Sequence, residues 1–144
     1  MTAEVLSADG VFVPVGLNSR SISAGIVSEI DFTPNISSAA FALRITSSEP
    51  IIASVQSSVV IGGRKDFTWS TASPELTPLT IAITGLTPLI VFAGSEINVA
   101  LDVTLINGKT VREQVKGSDI ALWRAPAAAR SFTITRTGKA TYAG

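Results

Sequence analysis

The chain has 144 residues, of which 46% are hydrophobic and 15% are charged. It contains no histidine and no cysteine, and eleven basic residues balance eleven acidic ones. These values exclude a disordered composition, imidazole and thiol chemistry and a disulfide framework, and they give no electrostatic reason to expect a nucleic acid partner. The length fits one ordinary domain, or two small β units packed together.

The beginning of the chain does not resemble a targeting segment. Met1-Thr2-Ala3-Glu4 lacks a cationic start followed by a long apolar run, so we expect no signal peptide in this chain. The longest apolar stretch, at about 86–93, contains Pro88 and is too short to span a membrane. We therefore expect a soluble chain without membrane insertion, which is compatible with the mature part of an exported protein.

Alternation of apolar residues with period two predicts several strands in the first half of the chain. Their apolar members are Val11, Val13 and Val15; Ile26, Ile30 and Phe32; Ala39, Phe41, Leu43 and Ile45; and Ile51, Ala53, Val55 and Val59. A turn at 47–50 separates the last two strands. The segment Gly62-Gly63-Arg64-Lys65 resembles a phosphate-binding loop only in composition, because no helix follows it. It predicts a hairpin loop instead.

The second half continues the same pattern. Its apolar strand residues are Leu79, Ile81 and Ile83; Ile97, Val99, Leu101, Val103 and Leu105; and Phe132 and Ile134. Asn107-Gly108 predicts a type I′ turn into a strand at 110–115, and a further turn is predicted at 137–139. Pro126 favours a bend over a helix in the alanine-rich stretch 125–129. About eleven short strands without a helix indicate an all-β sandwich or barrel.

The expected core follows from this alternation, which places every second side chain of a strand on the same face. We expect it to include Phe41, Leu43, Ile45, Val99, Leu101 and Val103.

The two ends of the chain resemble each other in the order of their strands and turns. This similarity predicts two related β units, in residues 1–85 and 86–144, which are packed together, in tandem or parts of one continuous sandwich. The second unit ends earlier than the first, which suggests a longer array or completion by strand exchange. Residues 1–60 carry two basic and five acidic groups, a balance of −3, whereas 103–144 carry seven basic and two acidic groups, a balance of +5. Solvated strand faces explain this difference, and head-to-tail complementarity between neighbouring units is the alternative.

The candidate catalytic and metal-binding residues are few. Glu29 and Asp31 share one face of a predicted strand, as paired carboxylates of a glycosidase would, but a solvated edge is the more common reason for such a pair. Asp9, Asp66 and Asp102 are isolated and lack the spacing of a calcium loop. Serine is abundant, but no histidine or Ser-x-x-Lys motif activates it. We expect no enzyme, no cofactor and no metal site.

The two tryptophans are the main candidates for binding, because indole faces stack on sugar rings as well as in cores. Phe67 and Trp69 share a face and are expected to form a buried pair. Trp123 points away from the apolar side chains of its own strand and is flanked by a basic residue, so it is expected to be exposed. The predicted binding site consists of Trp123, Arg124 and Lys116. Residues 35–37, Asn-Ile-Ser, also match a glycosylation acceptor pattern.

Several segments resemble an uncharacterised actinobacterial family of exported, Ser/Thr-rich β proteins. The residues that carry the resemblance are those at 44–55 (RITSSEPIIASV), 66–72 (DFTWSTA), 99–108 (VALDVTLING) and 125–129 (APAAA). The resemblance covers most of the chain. It implies an envelope or secreted location and an immunoglobulin-like sandwich, and it brings no active site with it.

We therefore predict an immunoglobulin-like β-sandwich that acts as a non-catalytic structural or interaction module of a bacterial cell envelope or secreted protein. Its expected partners are a protein or glycan of the cell surface, or copies of itself. One alternative is a carbohydrate-binding or adhesin module that uses Trp123. The other is a structural subunit of a virion or appendage.

Overall fold

The structure is a computed structural model that describes residues 1–33, 36–37, 40–136 and 139–144. Over these residues the chain is all-β and contains no helix, as the sequence predicts. The strands are β1 (Thr2–Ser7), β2 (Gly10–Phe12), β3 (Phe41–Thr46), β4 (Ser54–Ile61), β5 (Arg64–Thr71), β6 (Leu79–Ala82), β7 (Leu89–Leu105), β8 (Thr110–Arg124), β9 (Ala129–Arg136) and β10 (Tyr142–Ala143).

The strands form three antiparallel sheets. The small sheet has the order β2-β1-β3. The large sheet has the order β10-β7-β9-β6, with β8 paired along the other edge of β7. The third sheet contains only β4 and β5 and is called the hairpin arm below, residues 54–71. The predicted units 1–85 and 86–144 remain a prediction, and the large sheet draws β6 from the first of them.

A bulge folds the long β7–β8 hairpin back on itself. The register slips between Gly94 and Ile97, so two residues of β7 oppose one residue of β8. Asp119 of β8 has a φ of 63° at this point. Glu113 and Trp123, on opposite sides of the bulge, are joined by a hydrogen bond, although ten residues of straight strand would separate them by about 33 Å. The two halves of the hairpin therefore face each other.

The main core lies between these two halves. Its fully buried members alternate along β7 and β9, and the register places Leu101 opposite Glu113 and Ile134. The cluster consists of Leu76, Phe92, Ile97, Val99, Leu101, Val103, Val115, Trp123, Ala125, Ala129, Phe132 and Ile134. The prediction for Val99, Leu101 and Val103 is thus confirmed. The predicted core residues of β3, which are Phe41, Leu43 and Ile45, are only half-buried, because β3 is an edge strand of the small sheet.

Two local predictions differ from the structure. The hairpin after β7 forms, but Gly108 donates a backbone hydrogen bond to Leu105 and is itself at a φ of 81°, which is a three-residue loop with a bulge and not a type I′ turn. The alternating segment 26–32 is not a strand, because no described strand pairs with it. The predicted glycosylation pattern and the turn at 137–139 lie partly outside the described residues.

Candidate functional site

Trp123 is buried, so the prediction that it is exposed is wrong. Its side chain is 7% exposed and packs edge-on against Phe132, with ring centroids 4.9 Å apart. The indole Nε1 donates a hydrogen bond of 2.6 Å to Oε2 of Glu113. A buried tryptophan usually needs such an acceptor for its N–H. Trp123 is therefore a structural residue whose polar atom already has a partner.

The reason for this error lies in the point from which the alternation is counted. Counting from Ile120 and Leu122 correctly places Trp123 on the opposite face of β8, but those two residues are not on the core face. The bulge adds its extra residue to β7, so odd-numbered positions of β8 face the core on both sides of it. Val115 is one of these positions. Counting in steps of two from Val115 would have placed Trp123 inside.

The two basic members of the predicted site do not form a common surface with Trp123. Lys116 and Arg124 are exposed, but they occupy even-numbered positions of β8 and therefore lie on the other face from the indole. They also stand on opposite sides of the bulge. The predicted combination of an aromatic platform with two cations does not occur at this place.

The hairpin arm presents the exposed aromatic residues instead. Gly62 and Gly63 have φ values of 56° and 77° and connect Ile61 directly to Arg64, which is the geometry of a two-residue type I′ turn. Glycine adopts two such angles in succession without strain. This local signal was readable from the sequence, and the predicted hairpin loop is confirmed.

Both faces of the hairpin arm carry exposed apolar side chains. The register places Val60, Phe67 and Trp69 on one face, and Val55, Val59 and Ile61 on the other. Phe67 is 55% exposed and Trp69 is 61% exposed, so the predicted buried pair is wrong. The pair does share one face, as expected, but no other described element covers that face.

The charges of the hairpin arm are concentrated near its tip. Arg64 and Lys65 follow the turn directly, and both are exposed. Asp66 is next to them, and its Oδ1 accepts a hydrogen bond of 2.8 Å from the backbone N–H of Phe67. The arm thus carries exposed apolar side chains on both faces and two basic side chains directly after its turn, and the carboxylate of Asp66 is engaged by its own backbone.

The acidic residues that the sequence singled out lie apart from one another. Asp9 accepts two hydrogen bonds of 2.8 Å from Ser37, and Asp102 forms an ion pair with Arg112 at 3.7 Å. Glu29 and Asp31 are exposed. Among the described residues, no group of three or more acidic side chains is placed to hold a metal ion.

One ion-pair network connects the small sheet to β8. Arg44 donates to Glu4 at 2.7 Å and lies 3.4 Å from Asp119. The hydrogen bond to Glu4 is the main reason why the pKa of Arg44 is raised, and Asp119 contributes in the same direction. All three side chains are partly exposed, so the network positions the small sheet and adds little to stability.

An apolar depression of about 200 Å³ lies beside β6 and the end of the chain. Its lining includes Leu76, Leu79, Ile81 and Ile90. Small-molecule pockets usually have volumes of about 300–1,000 Å³ and contain a few convergent polar groups. This depression is therefore smaller than such a site requires.

No family model, no curated protein and no solved structure matches the chain. In the described part of the chain, no helix is long and apolar enough to cross a membrane.

Proposed function

We propose that the protein is a non-catalytic structural module that associates with copies of itself through the hairpin arm. The observation that carries this proposal is that, among the described strands, β4 and β5 pair only with each other and expose apolar residues on both faces. A two-stranded hairpin with no packing partner is at best marginally stable in water. Coverage by a neighbouring subunit would remove the apolar side chains from water and stabilise the hairpin.

The total surface of the chain supports the same proposal. The chain exposes 9659 Å², whereas a compact monomer of this mass exposes about 7,000 Å². The excess is about 2,600 Å², and a stable interface of standard size covers about 800 Å² on each partner. The chain thus has enough surplus surface for more than one intersubunit contact.

The pattern of the hairpin arm also indicates how it is covered. An arm that rests on a single surface needs apolar residues on one face only, because the other face stays in water. Here Phe67 and Trp69 occupy one face and Val59 and Ile61 the other. Insertion between two layers, or contact with two neighbours, satisfies both faces. Where such contacts join different surfaces of the two subunits, they build rings or open chains of subunits.

Three further parts of the proposal rest on the sequence. An immunoglobulin-like arrangement is supported by the number and alternation of the strands and by the resemblance to the exported β family. The same resemblance supports an envelope or secreted location. A subunit of a virion or appendage would use the same kind of self-association.

Sedimentation velocity across a wide range of protein concentration tests the proposal. The natural chain should have a mass well above 14.9 kDa. The double variant Phe67→Ser/Trp69→Ser should shift toward the monomer mass. A control, Ile52→Ser/Leu86→Ser, removes two apolar side chains that are even more exposed but lie outside the hairpin arm. A natural chain that stays monomeric at every concentration would contradict the proposal.

Carbohydrate binding is the second candidate function. Its proposed site is the hairpin arm, because Trp123 is buried. Phe67 and Trp69 stand two residues apart on one exposed strand face, which provides two rings for stacking against a sugar. Glycan-array binding by a monomeric natural chain, lost in Trp69→Ala, would favour this function over self-association.

A further inference from the structure

The outer edge of β8 forms no ladder with a described strand over its first half. In the part of the chain that the structure describes, β8 pairs only with β7. Arg44 of the small sheet reaches β8 at Asp119, beyond the stretch from Thr110 to Gly117. The backbone N–H and C=O groups along one side of this stretch are therefore available to pair with another strand.

A segment with the pattern of a strand lies unpaired in the same chain. Residues 26–32 alternate with period two, yet they form no strand. Ile26 is 63% exposed and Val27 is 96% exposed. No described hydrogen bond joins this segment to β8 within the chain.

The segment belongs to a long connection that is held near both ends. The backbones of Arg20 and Met1 exchange two hydrogen bonds of 2.8 Å, and Ser37 is bonded to Asp9. The anchors lie at opposite ends of β1, which is about 20 Å long, whereas seventeen extended residues span about 55 Å. The connection is therefore long enough for its middle to reach a neighbouring subunit.

We propose that residues 26–32 of one copy add as a strand to the outer edge of β8 in a second copy. This inference rests on the proposed function only in that both require self-association, because the hairpin arm takes no part in it. Each subunit donates one segment and accepts another at a different place, so the contact is head-to-tail and generates rings or chains.

The side chains of the two strands match in one register. With the strands parallel, Ile26 is placed beside Val111 and Ile30 beside Val115, so apolar residues extend the inner row of the large sheet. Ser28 then falls beside Glu113, where a hydroxyl is compatible with a carboxylate.

The outer row of the same register is complementary in charge. Arg112 and Lys116 are exposed on the outer face of β8, and that row carries no acidic residue between them. Asp31 is placed beside Lys116, and Glu29 lies diagonally between the two cations. Opposite charges across neighbouring strands stabilise their pairing. The difference in charge between the two ends of the chain thereby acquires a structural role.

Cross-linking tests the proposal cleanly because the natural chain contains no cysteine. Chains with Ile26→Cys are mixed with chains of a different tagged mass that carry Val111→Cys, and the mixture is oxidised. We expect a disulfide-linked heterodimer that exceeds the homodimers. The matched control pairs Ile26→Cys with Ile81→Cys, on the opposite edge strand of the same sheet, and should give no such excess.

The charges provide a second readout. Asp31→Lys should lower the yield of the cross-link about fivefold to tenfold, and Lys116→Asp on the accepting chain should restore it. No heterodimer above the control would overturn the proposal. A third chain carries both Ile26→Cys and Val111→Cys. If its disulfide forms only within the chain, the proposal is also overturned, because the donor and the acceptor are then the same copy.

The same experiment in the Phe67→Ser/Trp69→Ser background separates the two proposals. If the cross-link persists while the mass falls, strand addition is correct and acts independently of the hairpin arm. If the mass depends on the arm but no heterodimer above the control forms in either background, the proposed function stands and the strand addition fails.

Discussion

The two tryptophans should respond to truncation in opposite ways. Trp123→Ala removes a buried indole, its edge-on contact with Phe132 and the donor to Glu113. Substitutions of this kind cost about 3–5 kcal/mol of the free energy of unfolding. Trp69→Ala removes an indole that is far more exposed than that of Trp123. Because this side chain has few contacts to lose, the free energy of unfolding should change by less than about 0.5 kcal/mol.

An intermediate variant isolates the hydrogen bond. Trp123→Phe keeps most of the ring but removes the N–H, so the half-buried carboxylate of Glu113 loses its 2.6 Å donor. Hydrogen bonds to charged groups contribute about 1.5–3 kcal/mol, so the cost should fall below that of Trp123→Ala.

Urea unfolding followed by circular dichroism measures all three variants without depending on a tryptophan signal. Protein concentration is kept low so that the variants share one association state. Acrylamide quenching adds an independent check: the single tryptophan of Trp69→Phe should be shielded, and that of Trp123→Phe should be accessible. Equal costs for Trp69→Ala and Trp123→Ala, or a cost of less than about 1 kcal/mol for Trp123→Ala, would refute the assignment of the core.

Leu101→Ala should lower the free energy of unfolding by about 2–5 kcal/mol in the same urea assay, and truncation of the half-buried Leu43 to Ala should lower it clearly less. Equal losses would contradict this difference in burial. Gly94→Ala should lower the melting temperature, because an added Cβ would lie 2.7 Å from the backbone oxygen of Ala140. An unchanged melting temperature would show that the backbone of Ala140 does not pack against Gly94. Gly62→Ala should weaken self-association, because it strains the turn of the hairpin arm, whereas Gly62→Asn should be tolerated better. Identical association of the two variants would argue against self-association through the hairpin arm. EDTA should leave the melting temperature unchanged, and a clear drop would reveal a metal site.

Several features were predictable from the sequence because they depend on neighbouring residues. The alternation in β7 identifies Val99, Leu101 and Val103 as one inward row, and the structure buries all three. Gly62-Gly63 specifies a tight hairpin by its backbone freedom alone. Pro126 ends regular structure, and a turn follows in which the N–H of Ala129 bonds to its carbonyl.

The candidate site was not predictable in the same way, because exposure is decided by what covers a face. Alternation shows that the two faces of a strand differ, but it does not show which face meets another layer. The bulge at Gly94 folds β8 over the core and covers Trp123. No described element covers the hairpin arm, so the same kind of side chain at Trp69 stays in water. Local pattern thus identified the inward row of β7 and the tight turn of the hairpin arm, and only tertiary packing decided which aromatic residue is available for binding.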